Sequence, residues 1–237
     1  MEYTIHFSID DVINSFRWMY RNQPVSIFDM NFYGTLLKWH LRYGLKVSLY
    51  IFNEDGHGFT LEQLPAKYLD ELRENQDWIH AGYHGIYSEG GFIKNECRFE
   101  NEQKRVSGAF HDMLAETVRL HCWNASENNL RAAHKYGNVK SVLAPMEPTE
   151  CFETLSEEDK RLIFRGDPLL RDGILFQKTD YRLDNLTERN KIAESILAAP
   201  GKIQYIFLHE WSFQKNTEAI SFLWETLLQN GRVKFVL

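Results

Sequence analysis

The sequence predicts an α/β fold with a mainly parallel sheet, closed or nearly closed into a barrel of seven or eight strands. Three observations carry that expectation. Short apolar or β-branched runs alternate with helical segments from end to end, without an intervening linker. Eight such runs qualify as strands, enough to close a ring. The length of 237 residues suits one barrel, so residues 1–237 are expected to form a single domain.

In chain order the strands are residues 3–9 (YTIHFSI), 46–52 (KVSLYIF), 78–83, 117–122 (TVRLHC), 139–143, 173–179 (GILFQKT), 203–208 (IQYIFL) and 233–237. Residues 26–43 place Phe28, Phe32, Leu36, Trp39 and Tyr43 three or four apart, which predicts a helix with one face on the sheet, ended by Gly44. Thr60 and Gln63 form a capping-box pattern ahead of LEQLPAKYLDELREN, and Ser126 is placed to cap a helix stopping near Gly137. A last helix is expected over residues 217–229, with Ile220, Leu223, Trp224 and Leu227 on its inner face. Residues 85–116 have no clear strand and read as a lid with a helical second half.

Composition limits function. Apolar residues make up 43% and aromatics 14%, which describes a folded globular chain. A net charge of −6 without a Lys or Arg run predicts no nucleic acid partner, and no apolar stretch is long enough for a membrane span. Cys97, Cys122 and Cys151 are scattered and make neither a disulfide framework nor a thiolate site. Together with an amino end that enters a strand without a leader, they predict a cytoplasmic protein.

In parallel α/β folds ligands bind where the carboxyl ends of the strands converge, so the residue on which each strand ends is informative. The first ends at Asp10-Asp11, the third at His84, the fourth at His121, the sixth near Asp180 and the seventh at His209-Glu210-Trp211. Two adjacent acids repel unless a cation or proton is shared, although loop or helix-capping acids are commoner. An Asp with two His supplies the oxygen and nitrogen donors of a divalent metal such as zinc, with positions left open for water and substrate. Asp11, His84 and His121 are the expected ligands. His80, roughly 13 Å from His84 along an extended strand at about 3.3 Å per residue, is the alternative if the segment turns tightly at Gly82. His6, His40, His57, His111 and His134 are expected to be structural.

FSIDDV resembles the first motif, usually TFDDG, of the polysaccharide deacetylase family, carbohydrate esterase family four; Val12 stands where that motif has glycine. GYHGIYS resembles the second motif, with Ser88 in place of its usual second histidine. RLHCW, containing Arg119, His121 and Trp123, stands in the region of the third, KTDYRLD loosely resembles the fourth, and IFLHEW resembles the last. The resemblance implies a divergent member with a distorted (β/α) barrel. It further implies Asp10 as general base, Asp11 and His84 as metal ligands, His209 as general acid and Asp180 as the residue orienting it. The implied cofactor is one divalent ion, zinc with cobalt or nickel as alternatives, and the implied substrate an N-acetylated sugar. Trp123 reads as packing, while Trp211 is equally suited to packing or to stacking on a sugar. The competing readings are another metal-dependent barrel hydrolase, such as an amidohydrolase or phosphoesterase, and an inactive carbohydrate-binding barrel.

Overall fold

A computed structural model describes residues 2–85, 96–123, 126–147, 155–185 and 189–237. In chain order the elements are β1 (Glu2–Val12), α1 (Asn14–Asn22), α2 (Asn31–Tyr43), β2 (Val47–Phe52), α3 (Ala66–Glu74), β3 (Ile79–Gly85), α4 (Glu96–Phe110) and β4 (Thr117–Val118). They continue with α5 (Glu127–Gly137), β5 (Ser141–Ala144), α6 (Glu157–Arg165), β6 (Leu169–Arg171), β7 (Ile174–Lys178), β8 (Tyr181–Arg182), α7 (Arg189–Leu197), β9 (Ile203–His209), α8 (Glu210–Asn230) and β10 (Arg232–Val236).

Strand alternation explains how β1 organises the fold. Tyr3, Ile5, Phe7 and Ile9 share one buried face, and Phe7 meets Trp39 of α2 and Trp224 of α8 edge to face. Each such side chain contributes about 1.5–3 kcal/mol through burial. The opposite face carries His6, Ser8 and Asp10, also buried but polar, so the inner side of the sheet is a hydrogen-bonded interior. Both edges of β1 are occupied: β9 pairs along one, while β10 and β2 follow each other along the other.

One sheet runs β3-β2-β1-β9-β8 with β10 added on β1, and the second runs β4-β5-β7-β6. Among the described residues every strand pairing is parallel except β6 with β7. Backbone hydrogen bonds link the two sheets at both margins. The Ala115 amide donates to the Ala81 carbonyl within β3, and after β7 the Thr179 and Asp180 amides donate to Ala144 and Tyr205 in turn.

Several elements depart from expectation for local reasons. The helix expected over residues 26–43 is a short 3₁₀ turn capped by Ser26, an extended Met30, and then α2. The Thr60 capping box closes a 3₁₀ turn, and Pro65 delays α3 to Ala66. The strand expected over residues 117–122 has only two paired residues before a turn at His121–Trp123. Ser126 caps α5 as expected, whereas α8 begins directly after His209, well ahead of residue 217. Of the expected lid, residues 86–95 lie outside the described residues and its second half is α4. No helix among the described residues is long and apolar enough to cross a membrane.

Candidate metal centre and proton-transfer groups

The adjacent acids of β1 reach the same side of the sheet because the strand is irregular there. Its register against β2 shifts between Ile9 and Val12, and Asp11 takes a left-handed φ of 61°. A bulge of this kind re-aims a side chain that strict alternation would send to the opposite face.

Asp10 continues the inner polar face and is 1% exposed. Arg119, also buried, donates to both of its carboxylate oxygens (2.8 and 3.1 Å), to Ser8 Oγ and to Thr179 Oγ1. The guanidinium lies against the Phe207 ring, 3.9 Å from its centroid. This is a buried ion pair with its geometry fixed from several strands.

Asp11 faces His84 and His121. One donor atom from each of the three lies within 4.8 Å of the others. His84 Nδ1 donates to the Arg119 carbonyl (2.6 Å), so in the neutral ring Nε2 presents a lone pair 3.2 Å from Asp11 Oδ1. That oxygen is buried and receives no hydrogen bond. Two lone pairs facing each other across a buried gap call for a proton or a cation between them, so the donor set fits a divalent metal. The electrostatics show that positive charge is favoured here: burial opposes a charge on His84, but the facing Asp11 carboxylate and the charge of Asp10 outweigh it and raise its pKa. Burial and the neighbouring His84 lower that of His121 to about 4, keeping its ring neutral and able to ligate.

His121 reaches this position from a turn in which Cys122 and Trp123 both take positive φ. Gly85 makes room for it: a Cβ there would lie 3.1 Å from both the His121 Cβ and the Phe52 ring. Trp123 packs partly buried against the core.

Opposite stands His209 at the end of β9. Asp184 accepts from its Nδ1 (2.5 Å) and its backbone amide (2.8 Å), and also from Ser212 and Arg182. Burial works against this carboxylate, but the hydrogen bonds from His209 and Ser212 hold its pKa well below the usual range. His209 Nε2 thereby points to the centre, 4.0 Å from Asp11 Oδ2. Trp211 stacks parallel to the His209 ring and donates from Nε1 to the same Asp11 oxygen (3.2 Å).

The residue holding His209 is therefore Asp184, four positions beyond the expected Asp180. Asp180 instead accepts from the Tyr205 amide and faces Lys202, at the opposite end of β9 from the rim. His80 is likewise away from the centre: burial lowers its pKa, and its charged neighbours are Lys46 and Glu116. Arg119 carries no role legible in the sequence, and KTDYRLD contains both Asp180 and Asp184, of which only the second lies level with the end of β9. Glu210 is neither ligand nor acid in this arrangement; its carboxylate accepts from the amides of Ile13, Asn14 and Ser15 and caps α1.

No protein-family model and no curated protein matches the sequence. Solved structures match the fold. A 4-alpha-glucanotransferase from Thermococcus litoralis is similar over 99% of this chain, with a TM-score of 0.59 and 16% identity, and this chain spans 40% of that enzyme's length. The chitin deacetylase of the fungal pathogen Colletotrichum lindemuthianum is similar over 98% of this chain and 84% of its own, at TM-score 0.55 and 13% identity. A peptidoglycan N-acetylglucosamine deacetylase is similar over 98% and 86%, at TM-score 0.54 and 11% identity. The chain thus has the mixed α/β fold, with its mainly parallel sheets, that these enzymes share.

Proposed function

We propose that the protein is a metal-dependent carbohydrate de-N-acetylase, a divergent relative of the polysaccharide deacetylases built as one distorted (β/α) barrel. The observation that carries this reading is the Asp11, His84 and His121 donor cluster facing a His209 held by Asp184. The fold shared with chitin and peptidoglycan deacetylases supports it. The mixed oxygen and imidazole donors suit zinc, with cobalt or nickel as alternatives.

Asp11, His84 and His121 would hold a divalent ion, which would supply polarisation of the acetamide carbonyl and acidification of water. Asp10 accepts the proton of the attacking water, and Arg119 fixes its carboxylate in place. His209 Nε2 delivers a proton to the departing amine, which leaves poorly without one, while Asp184 keeps the ring oriented. The amide and one water become acetate and a free amino sugar. A glycosyl transfer, as in the glucanotransferase, would require two carboxylates flanking the scissile bond. Here Asp11, one of the two candidate carboxylates, faces two imidazoles as part of the donor cluster, which favours the metal reading.

Metal analysis of the purified protein and an assay of acetate release from N-acetylated sugars test the proposal. One bound zinc per chain and turnover are expected. His84→Ala should weaken zinc binding more than about a hundred-fold, and Asp10→Asn should retain zinc while losing about 10²–10⁴ in turnover. A protein that neither binds a divalent metal nor releases acetate on metal addition would overturn it; hydrolysis of phosphate esters instead would favour the phosphoesterase alternative.

A further inference from the structure

Trp211 lies in the first turn of α8 and is 55% exposed, so core packing does not explain its place beside the centre. Three contacts hold the indole there. Nε1 donates to Asp11 Oδ2 at 3.2 Å, and the ring stacks on the His209 imidazole with centroids 5.3 Å and planes 18° apart. Lys215 Nζ, one helical turn further along α8, lies 4.9 Å from the indole centroid. One side chain thus touches both halves of the site, a candidate ligand and the candidate acid.

The first contact bears on the donor set. Asp11 stands on a left-handed residue at the bulge, where the strand ladder is interrupted and fixes the side chain less firmly. Its carboxylate has two oxygens, and either or both can ligate a cation. The indole N–H occupies Oδ2, which leaves Oδ1, buried and without a hydrogen bond, as the oxygen facing His84 Nε2. The second contact bears on the acid. Asp184 anchors His209 by the Nδ1 edge, and an edge contact alone lets a ring tilt about it. A parallel aromatic face sets the plane, and with it the direction of Nε2.

We infer that Trp211 is a positioning residue for both halves of the centre, its N–H selecting Asp11 Oδ1 as the metal donor and its ring fixing the plane of His209. The first role rests on the metal-dependent reading proposed above, whereas the second does not.

Two substitutions separate the roles. Trp211→Phe keeps an aromatic ring on His209 and removes the N–H, and Trp211→Leu removes both; at a position more than half exposed, both variants should fold. Zinc affinity is read by competition with a chromophoric chelator, and the visible absorption of the cobalt(II)-loaded chain reports the donor set. Both variants should bind zinc about ten-fold or more weakly and show an altered cobalt spectrum. In the metal-free chain, the ring current of the stacked aromatic should hold the His209 ring-proton resonances upfield. They should stay there in Trp211→Phe and return toward free-histidine positions in Trp211→Leu. Zinc affinity and a cobalt spectrum unchanged in both variants would overturn the first role, and His209 resonances alike in all three proteins would overturn the second. Acetate release is scored separately. Trp211-dependent metal binding without acetate release keeps the inference and removes the deacetylase, whereas acetate release by a chain whose metal binding ignores both substitutions does the reverse.

Discussion

On one side of the rim, β1 and β9 run in unbroken register from Thr4 opposite Ile203 to Asp10 opposite His209. On the other, β4 has two paired residues and gives way to a turn with two left-handed residues before the chain reaches α5. Both sides deliver functional groups, but by different means. The first positions them by counting along a strand, each residue advancing about 3.3 Å and changing face. The second positions His121 by contact, with its ring beside those of His84 and Phe52 and its Cβ over Gly85. The sheet side thus holds the proposed proton-transfer groups rigidly, and the turn side completes the donor set by a fit that a single methyl group can disturb.

The largest effect expected from this contrast separates Asp10 from its neighbour. Asp10→Asn leaves the buried Arg119 guanidinium without its counter-charge and should cost about 3–5 kcal/mol in urea unfolding. Asp11→Asn, which keeps an oxygen for the Trp211 indole and leaves the Arg119 ion pair intact, should cost less, about 1 kcal/mol. Equal losses would mean that the two acids share one structural role. Next comes the turn side. Gly85→Ala should lower zinc affinity about ten- to a hundred-fold by displacing His121, while stability falls by about 1–3 kcal/mol. Unchanged affinity would show that His121 does not depend on that contact.

A third effect, spread over several pH units, is one of pH at His6, midway along β1. Burial, helped by the Arg119 charge, lowers the pKa of His6 to about 3 from its ordinary 6.5. The unfolded chain therefore binds the proton first, so this contribution is complete above pH 6.5 and lost progressively as pH falls toward 3. His6→Gln should flatten the acid limb of the stability profile by about 1 kcal/mol per pH unit. A profile that keeps its slope would assign acid sensitivity to other groups.

The same division explains what could be read from the sequence. β1 and β9 were legible because YTIHFSI and IQYIFL are apolar runs with polar ends, and they placed Asp10, Asp11 and His209 together. The α2 and α8 packing faces followed from helical spacing. The orienting acid was misplaced because Asp180 and Asp184 occupy the same polar segment, and only the parallel pairing of Tyr181 with Ile206 sets which one lies beside His209. Arg119 was visible but mute, since its partners Ser8, Asp10 and Thr179 come from distant parts of the chain. The early start of α8 was hidden because EWSFQKN lacks the apolar spacing of the segment that follows.

The left-handed backbone at Asp11 sets stability against function at a single position. Glycine adopts φ near 61° without the steric cost of a Cβ. Asp11→Gly should therefore raise folding stability by about 1 kcal/mol while removing the metal donor. A library of this protein sorted only for thermal resistance would be expected to enrich that substitution, discarding its chemistry as it became more robust.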